Sequence, residues 1–285
     1  MNQDAHTLSL RRILVPLDAS ENSMAALEAG AELAAALGAE LEGLFVEDIH
    51  VLQLCEFPFA REVSLLSPTF RRIDRTETER QLRIQAKRLQ KIMAEVAQRF
   101  QVPWKFRVAR GGVPAEVLAA AENADLTILG RSGWSLPGKQ KIGSTVRTIV
   151  SQGRGMTLII QHGMRFQPPV QVLFTGSQLS EKTLVLALDL GSDKRIPVLV
   201  LIPGTEPERQ EHLQAQAQQV IADQKGQATL YLMPQTSRLG QIGPRVGQHG
   251  SGPLFIPCEE PGLCGKELQE LISSLQNPVF LVRSK

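Results

Sequence analysis

The chain has 285 residues, with 31 basic against 29 acidic side chains and a net charge of +2 at pH 7. That balance sets up no strong field toward nucleic acid or a membrane surface, and 42% hydrophobic residues with 5% aromatic allow sizeable cores. The length suggests two domains, and no stretch approaches the ~20 apolar residues that a bilayer span requires.

Residues 1–11 read as a tail. Arg12 to Leu17 is a buried-type strand that ends in Asp18-Ala19-Ser20, an acid followed by a helix-capping serine. Ala26, Leu27, Gly30, Leu33, Ala34 and Leu37 then recur at helical spacing, and Gly38 stops the helix. Leu41 to Val46 is a second strand, and Trp104, Phe106 and Val108 alternate as a third. Between them Leu82, Ala86, Leu89, Met93, Val96 and Phe100 line one face of a long helix. Its basic face, Arg80, Arg83, Lys87, Arg88 and Lys91, is diluted by Glu77, Glu79 and Glu95 and reads as solvated. Residues 47–75 are long for a connection and too apolar for a disordered linker; they either cover a site or pack on the long helix. Leu126 to Leu129 and Thr157 to Ile160 are the fourth and fifth strands.

Gly130-Arg131-Ser132-Gly133 follows the fourth strand, and after nine residues comes Gly143-Ser144-Thr145, leading into Val146, Ile149 and Val150. Glycines at a strand end let the backbone approach a ligand closely. Small residues with hydroxyls and free N–H groups at a helix start favour an anion. Strand, glycine loop and helix start together read as a phosphate cradle. Asp18 lies at another strand end, where its carboxylate could accept from ribose hydroxyls or a base amino group. The commoner job for Asp18 with Ser20 is an ordinary helix cap, and the glycine loop is what brings in the binding role.

Val15-Pro16-Leu17-Asp18-Ala19-Ser20 together with Gly130-x2-Gly133-x9-Gly143-Ser144 resembles the universal stress protein family, whose nucleotide-binding branch carries G-x2-G-x9-G-[S/T]. The similarity spans about residues 12–161 and includes Gly111-Gly112-Val113-Pro114-Ala115-Glu116-Val117-Leu118. It implies an α/β fold in which each domain is a doubly wound five-stranded parallel sheet, order 3-2-1-4-5, with helices on both faces. It also implies ATP or a related adenine nucleotide, with Mg2+ or Mn2+ held through the phosphates. Pro16, Leu17 and Asp18 would then lie near base and ribose, with Ser20 a further binding candidate, and Leu41 would pack on adenine. Leu129, Gly130, Gly133, Gly143, Ser144, Thr145 and Val146 would surround sugar and phosphates. Arg131-Ser132 departs from the Ser-His of many members, and the added cation faces either phosphate or solvent.

Residues 163–169 look like a linker, after which the pattern restarts over 170–285 as a degenerate second domain, the first being 12–162. Val170 to Phe174, Val198 to Ile202, Ala228 to Met233, Leu254 to Ile256 and Val279 to Val282 fit five strands. Ser180 can cap a helix through Leu188, residues 206–223 are a polar helix, and Gln235 to Gly252 is a short helix or a loop. Thr175 stands where Asp18 does, Pro257 stands at the Gly130 position without an N–H, and Glu259-Glu260 follow. One site per chain is therefore expected, in the first domain.

The apolar last strands, Leu158-Ile159-Ile160 and Val279-Phe280-Leu281-Val282, call for cover. An internal pseudo-dimer of the two domains meets that need, and a homodimer joined through the same edges is the alternative. The leading reading is a cytoplasmic nucleotide-binding stress-response protein acting on an unknown protein partner, without nucleic acid or membrane. A slow metal-dependent ATPase and a nucleotide-free scaffold are the alternatives. Hydrolysis is expected to be slow or absent, because His6, His50, His162, His212 and His249 all fall outside the glycine motif. The first strand lacks the G-x-G-x-x-G of a dinucleotide-binding dehydrogenase, and no Ser-Gly-Gly-x-Asp-Ser run follows it. Cys55, Cys258 and Cys264 form no C-x2-C pair, consistent with a reducing compartment.

Overall fold

A computed structural model describes residues 10–57, 61–64, 67–132, 142–164, 166–204, 206–235, 242–259 and 265–284, with side chains left aside at 62–72, 193–194 and 235. Gly133, Cys264 and Glu260 lie outside the described residues. Strand β1 (Arg12–Pro16) puts Ile13 and Val15 on one face and Leu14 on the other, all of them buried. Both faces of the sheet are covered, so its central strands read as continuous apolar runs.

The first half continues α1 (Glu21–Leu37), β2 (Glu40–Asp48), α2 (Ile49–Leu54), the hairpin β3 (Arg61–Ser64) and β4 (Ser67–Arg72), and α3 (Arg75–Phe100). It closes with β5 (Trp104–Gly111), α4 (Val113–Ala121), β6 (Leu126–Gly130), α5 (Ser144–Gln152) and β7 (Met156–Ile160). The second half runs β8 (Val170–Leu173), α6 (Gln178–Lys194), β9 (Val198–Gly204), α7 (Pro207–Asp223) and β10 (Ala228–Gln235). It ends α8 (Gly243–Gln248), β11 (Leu254–Pro257), α9 (Lys266–Ser274) and β12 (Val279–Val282). Helices α1, α3, α6 and α7 cover one face of the sheet, and α4, α5, α8 and α9 the other. Among the described residues no helix is long and apolar enough to cross a membrane.

Ten of the described strands form one sheet in the order β10-β9-β8-β11-β12-β7-β6-β1-β2-β5. Each half is therefore a parallel 3-2-1-4-5 sheet. The two join through antiparallel pairing of β12 with β7, in the register Val279↔Ile159, Phe280↔Leu158 and Leu281↔Thr157. Phe280 stacks on Phe255 at a centroid distance of 4.4 Å beside this seam. The apolar edges that needed cover thus cover each other. The free edge strand β5 carries Lys105, Arg107 and Arg110, charges of the kind that discourage a further strand.

The halves repeat down to single hydrogen bonds. Asp18 N–H donates to Ser23 Oγ at 3.3 Å, and Thr175 N–H to Ser180 Oγ at 3.3 Å. Arg131 N–H donates to Ile160 O, and Cys258 N–H to Val282 O, both at 2.8 Å. Ala19 and Gly176 take the same left-handed turn, at φ 64° and 82°.

One helix start differs from expectation, and one open alternative is resolved. Ser177, not Ser180, caps α6, because the buried Ser180 hydroxyl is committed to accepting the N–H groups of Thr175 and Gly176. Within Gln235 to Gly252, the helix α8 occupies Gly243–Gln248. The 47–75 connection begins with α2, capped by Asp48 and packed against α3 and β5, followed by the hairpin.

Candidate functional site

A cavity of about 490 Å3 opens at the carboxyl ends of β1, β2 and β6. This is where the strand order reverses and where open parallel sheets leave a crevice. Its apolar lining is Pro16, Leu17, Leu44, Phe45, Val46, Val113, Pro114, Val117 and Leu129. Gly130, Ser132, Gly143, Ser144, Thr145 and Val146, from the end of β6 and the start of α5, complete it.

Helix α5 has Gly143 at its N-cap, and among the described residues no side-chain cap bonds the N–H groups of its first turn. Helix α4, capped by Gly112, likewise has none, and its Val113 and Pro114 also line the cavity. Uncapped helix starts concentrate N–H donors and positive dipole ends at one place.

Asp18 lines the cavity and is also used locally. Its Oδ1 accepts from Ser20 N–H at 3.0 Å and from Ser20 Oγ at 2.6 Å, while Ser20 Oγ caps α1 by accepting from Ser23 N–H. The cap reading and the site reading of this Asp-x-Ser unit therefore apply to one geometry. Asp18→Ala is expected to lower the affinity of a hydroxyl- or amine-bearing ligand seated in the cavity by about 1–3 kcal/mol, from loss of a charged acceptor. Asp18→Asn keeps an oxygen for the turn, so calorimetric titration beside urea denaturation separates the two roles. Equal affinity in all three proteins would remove Asp18 from the site.

Of the expected site residues, Pro16, Leu17, Asp18, Ser20, Leu129, Gly130, Gly143, Ser144, Thr145 and Val146 line this cavity. Two residues do not. Leu41 is fully buried and pairs with Ile13, at the amino end of β2. The cavity lies near Leu44, which pairs with Pro16; three residues of strand put Leu41 roughly 10 Å away. Leu44, Phe45 and Val46 take the place expected of Leu41. The Arg131 guanidinium faces neither phosphate nor solvent. It is 5% exposed and bonds to Gln161, Ser273 and Leu275.

The sequence reading also passed over Asp48, His50 and Asn22. Asp48 and His50 line the cavity from the start of α2, His50 N–H donating to Asp48 Oδ1 at 2.9 Å. Asn22, in the first turn of α1, donates from Nδ2 to Ser132 O at 2.8 Å and to Ser132 Oγ at 3.0 Å. Its Oδ1 accepts from His162 N–H at 2.9 Å, which ties the loops after β6 and β7 together. The signal for Val46 was available, since functional residues of a parallel sheet cluster at carboxyl strand ends. No local signal marks Asn22 or His50. Among the described residues no group of three or more His, Cys, Asp and Glu side chains is placed to hold a metal.

The sequence profile of the universal stress protein family matches residues 9–161. No curated protein matches the chain. A universal stress protein from Archaeoglobus fulgidus shares the fold with a TM-score of 0.75 at 16% identity, over 96% of this chain and 98% of that one. A functionally unknown protein from Pseudomonas aeruginosa does so with a TM-score of 0.61 at 13% identity, over 97% and 94%. At these identities the likeness is one of fold.

Proposed function

The chain belongs to the universal stress protein family, and from that premise we propose that its first half binds one adenine nucleotide, ATP or a close relative, and reports its occupancy to a protein partner. The observation that carries this is the α5 N-terminus, which has no side-chain cap among the described residues and opens with Ser144 and Thr145 onto the cavity. Such a helix start is a ready anion site, and the apolar residues in the same lining suit a planar base. A volume of about 490 Å3 is within the usual range for a small-molecule pocket.

Asp18 and Asp48 line the cavity, and among its described lining residues there is no lysine or arginine. A nucleotide entering there brings more negative charge, so Mg2+ or Mn2+ on its own phosphates would offset the repulsion. Such a site draws on the cytoplasmic nucleotide pool, and the cytoplasm is where we place the protein. We also keep the division into a nucleotide-binding unit, residues 12–162, and a degenerate unit, residues 170–285.

One nucleotide should bind per chain. The equivalents of Asp18, Gly130 and Arg131 in the second half are Thr175, Pro257 and Cys258 by the repeated hydrogen bonds. A carboxylate and a loop N–H are thereby missing, and Glu259 adds a charge of the wrong sign. Calorimetric titration with ATP and Mg2+ should give a stoichiometry near one. No binding would overturn the nucleotide reading, and two equivalent sites would overturn the reading of the second half.

A further inference from the structure

Arg131 sits at a junction. Its N–H donates to Ile160 O at 2.8 Å and its carbonyl accepts from Gly143 N–H at 3.0 Å, so one residue ties β7, the end of β6 and the start of α5. Both ends of the glycine loop therefore depend on where Arg131 is held. Its side chain turns away from the cavity and crosses into the second half. There the guanidinium donates to Leu275 O at 2.7 Å, to Ser273 O, and to Gln161 Oε1 of its own half at 3.0 Å. Ser273 and Leu275 are at the carboxyl end of α9, where unpaired carbonyls and the negative dipole end favour a cation.

Burial pushes the Arg131 guanidinium down from its ordinary value, so placing it there costs solvation that the helix end must offset. Neither a phosphate contact nor surface solubility accounts for the arrangement. A second tie runs the other way. Arg283, just past β12, donates to Val150 O at 2.8 Å near the carboxyl end of α5, and Gln269 of α9 donates to Ser151 Oγ at 3.1 Å. Helix α5, whose first turn lines the cavity, is thus held by the second half directly near its carboxyl end and through Arg131 at its start.

We propose that the second half serves as the rigid mount of the nucleotide site, with Arg131 as the positioning residue, so that ligand in the first half and order at the end of α9 are coupled. This rests on the nucleotide reading above. Linkage makes the coupling reciprocal: if the α9 contact improves the cradle, nucleotide must tighten the α9 contact.

The test uses the full chain. In the wild type, ATP with Mg2+ should slow amide hydrogen exchange across α9 and residues 275–278 as well as around the cavity. Arg131→Met should weaken nucleotide binding within the usual span of such couplings, about 5–150-fold, and confine the slowing to the first half. Arg131→Lys keeps the charge without the fork that reaches several carbonyls, so it should fall between. A purely structural role would lower unfolding stability in Arg131→Met yet leave the ligand-dependent exchange of α9 in place. Nucleotide that binds the wild type without changing α9 exchange overturns the proposal and leaves the nucleotide reading standing, whether or not the variants fold. Unchanged affinity in a folded Arg131→Met does the same. A wild type that binds no nucleotide overturns both.

Discussion

Gly130→Val is expected to weaken nucleotide binding by about 100-fold while the far-UV circular dichroism stays that of the folded chain. A Cβ at this position would lie 2.7 Å from the carbonyl carbon of Asn22 and 2.9 Å from its oxygen. Both belong to the main chain of the first turn of α1, which cannot rotate aside as a side-chain tip would. Either the end of β6 or that turn must move. In both cases the Asn22–Ser132 clamp loosens and Gly130 leaves its place beside Gly143 and Ser144. Overpacking of this kind costs about 1–3 kcal/mol, and each 1.4 kcal/mol that falls on the bound state is a factor of ten in affinity. The mechanism differs from a direct block of the phosphate path, because the missing Cβ points at α1. Gly130→Ala meets the same contact with less bulk and should show a smaller loss. Full affinity in a folded Gly130→Val would remove the glycine loop from the site.

Ile159→Lys is expected to cost about 3–5 kcal/mol of unfolding free energy, the scale of an unpaired buried charge. Ile159 is 2% exposed, lies opposite Val279 in the antiparallel seam, and belongs to the core layer formed by α4, α5, α8 and α9. A lysine there has no carbonyl or carboxylate placed for it in the strand register, and reaching solvent means parting β7 from β12. Urea denaturation measures the loss. Cysteines at positions 158 and 280, which face each other across the seam, should cross-link within one chain at high dilution. Links that form only between chains would show that the edges pair intermolecularly, and a cost under about 1 kcal/mol would show that the seam is not a buried contact.

Much of the architecture was legible because it is local. Ile13 to Leu17, Leu126 to Leu129 and Val279 to Val282 are short, mostly apolar runs bounded by polar residues or turns, a pattern that specifies strands covered on both faces. Gly38 ends α1 in a left-handed conformation at φ 64°, a role glycine takes without a Cβ penalty. Gly143-Ser144-Thr145 could be assigned to a helix start from the periodic Val146, Ile149 and Val150 behind it. The need to cover two apolar edges could likewise be read from strands without charge or proline.

What the sequence by itself determined was the ten strands of the two halves, the repeat and the strand ends that carry Asp18 and Gly130, while α2, the β3–β4 hairpin and α8 stay unassigned. The tertiary structure decided which residues meet. Leu41 and Val46 are both apolar, and the register with β1 puts Leu41 opposite Ile13, at the other end of β2 from the cavity that Val46 lines. Arg131 stands one position from the cradle glycine, yet its partner carbonyls are 142 and 144 residues further along. His50 comes to the cavity from a connection far from the glycine motif. Caps, turns and hydrophobic periods act over one to four neighbours and so leave marks in sequence. A buried guanidinium goes where carbonyls lack donors, and that place exists only after ten strands have joined and α9 has docked at the seam.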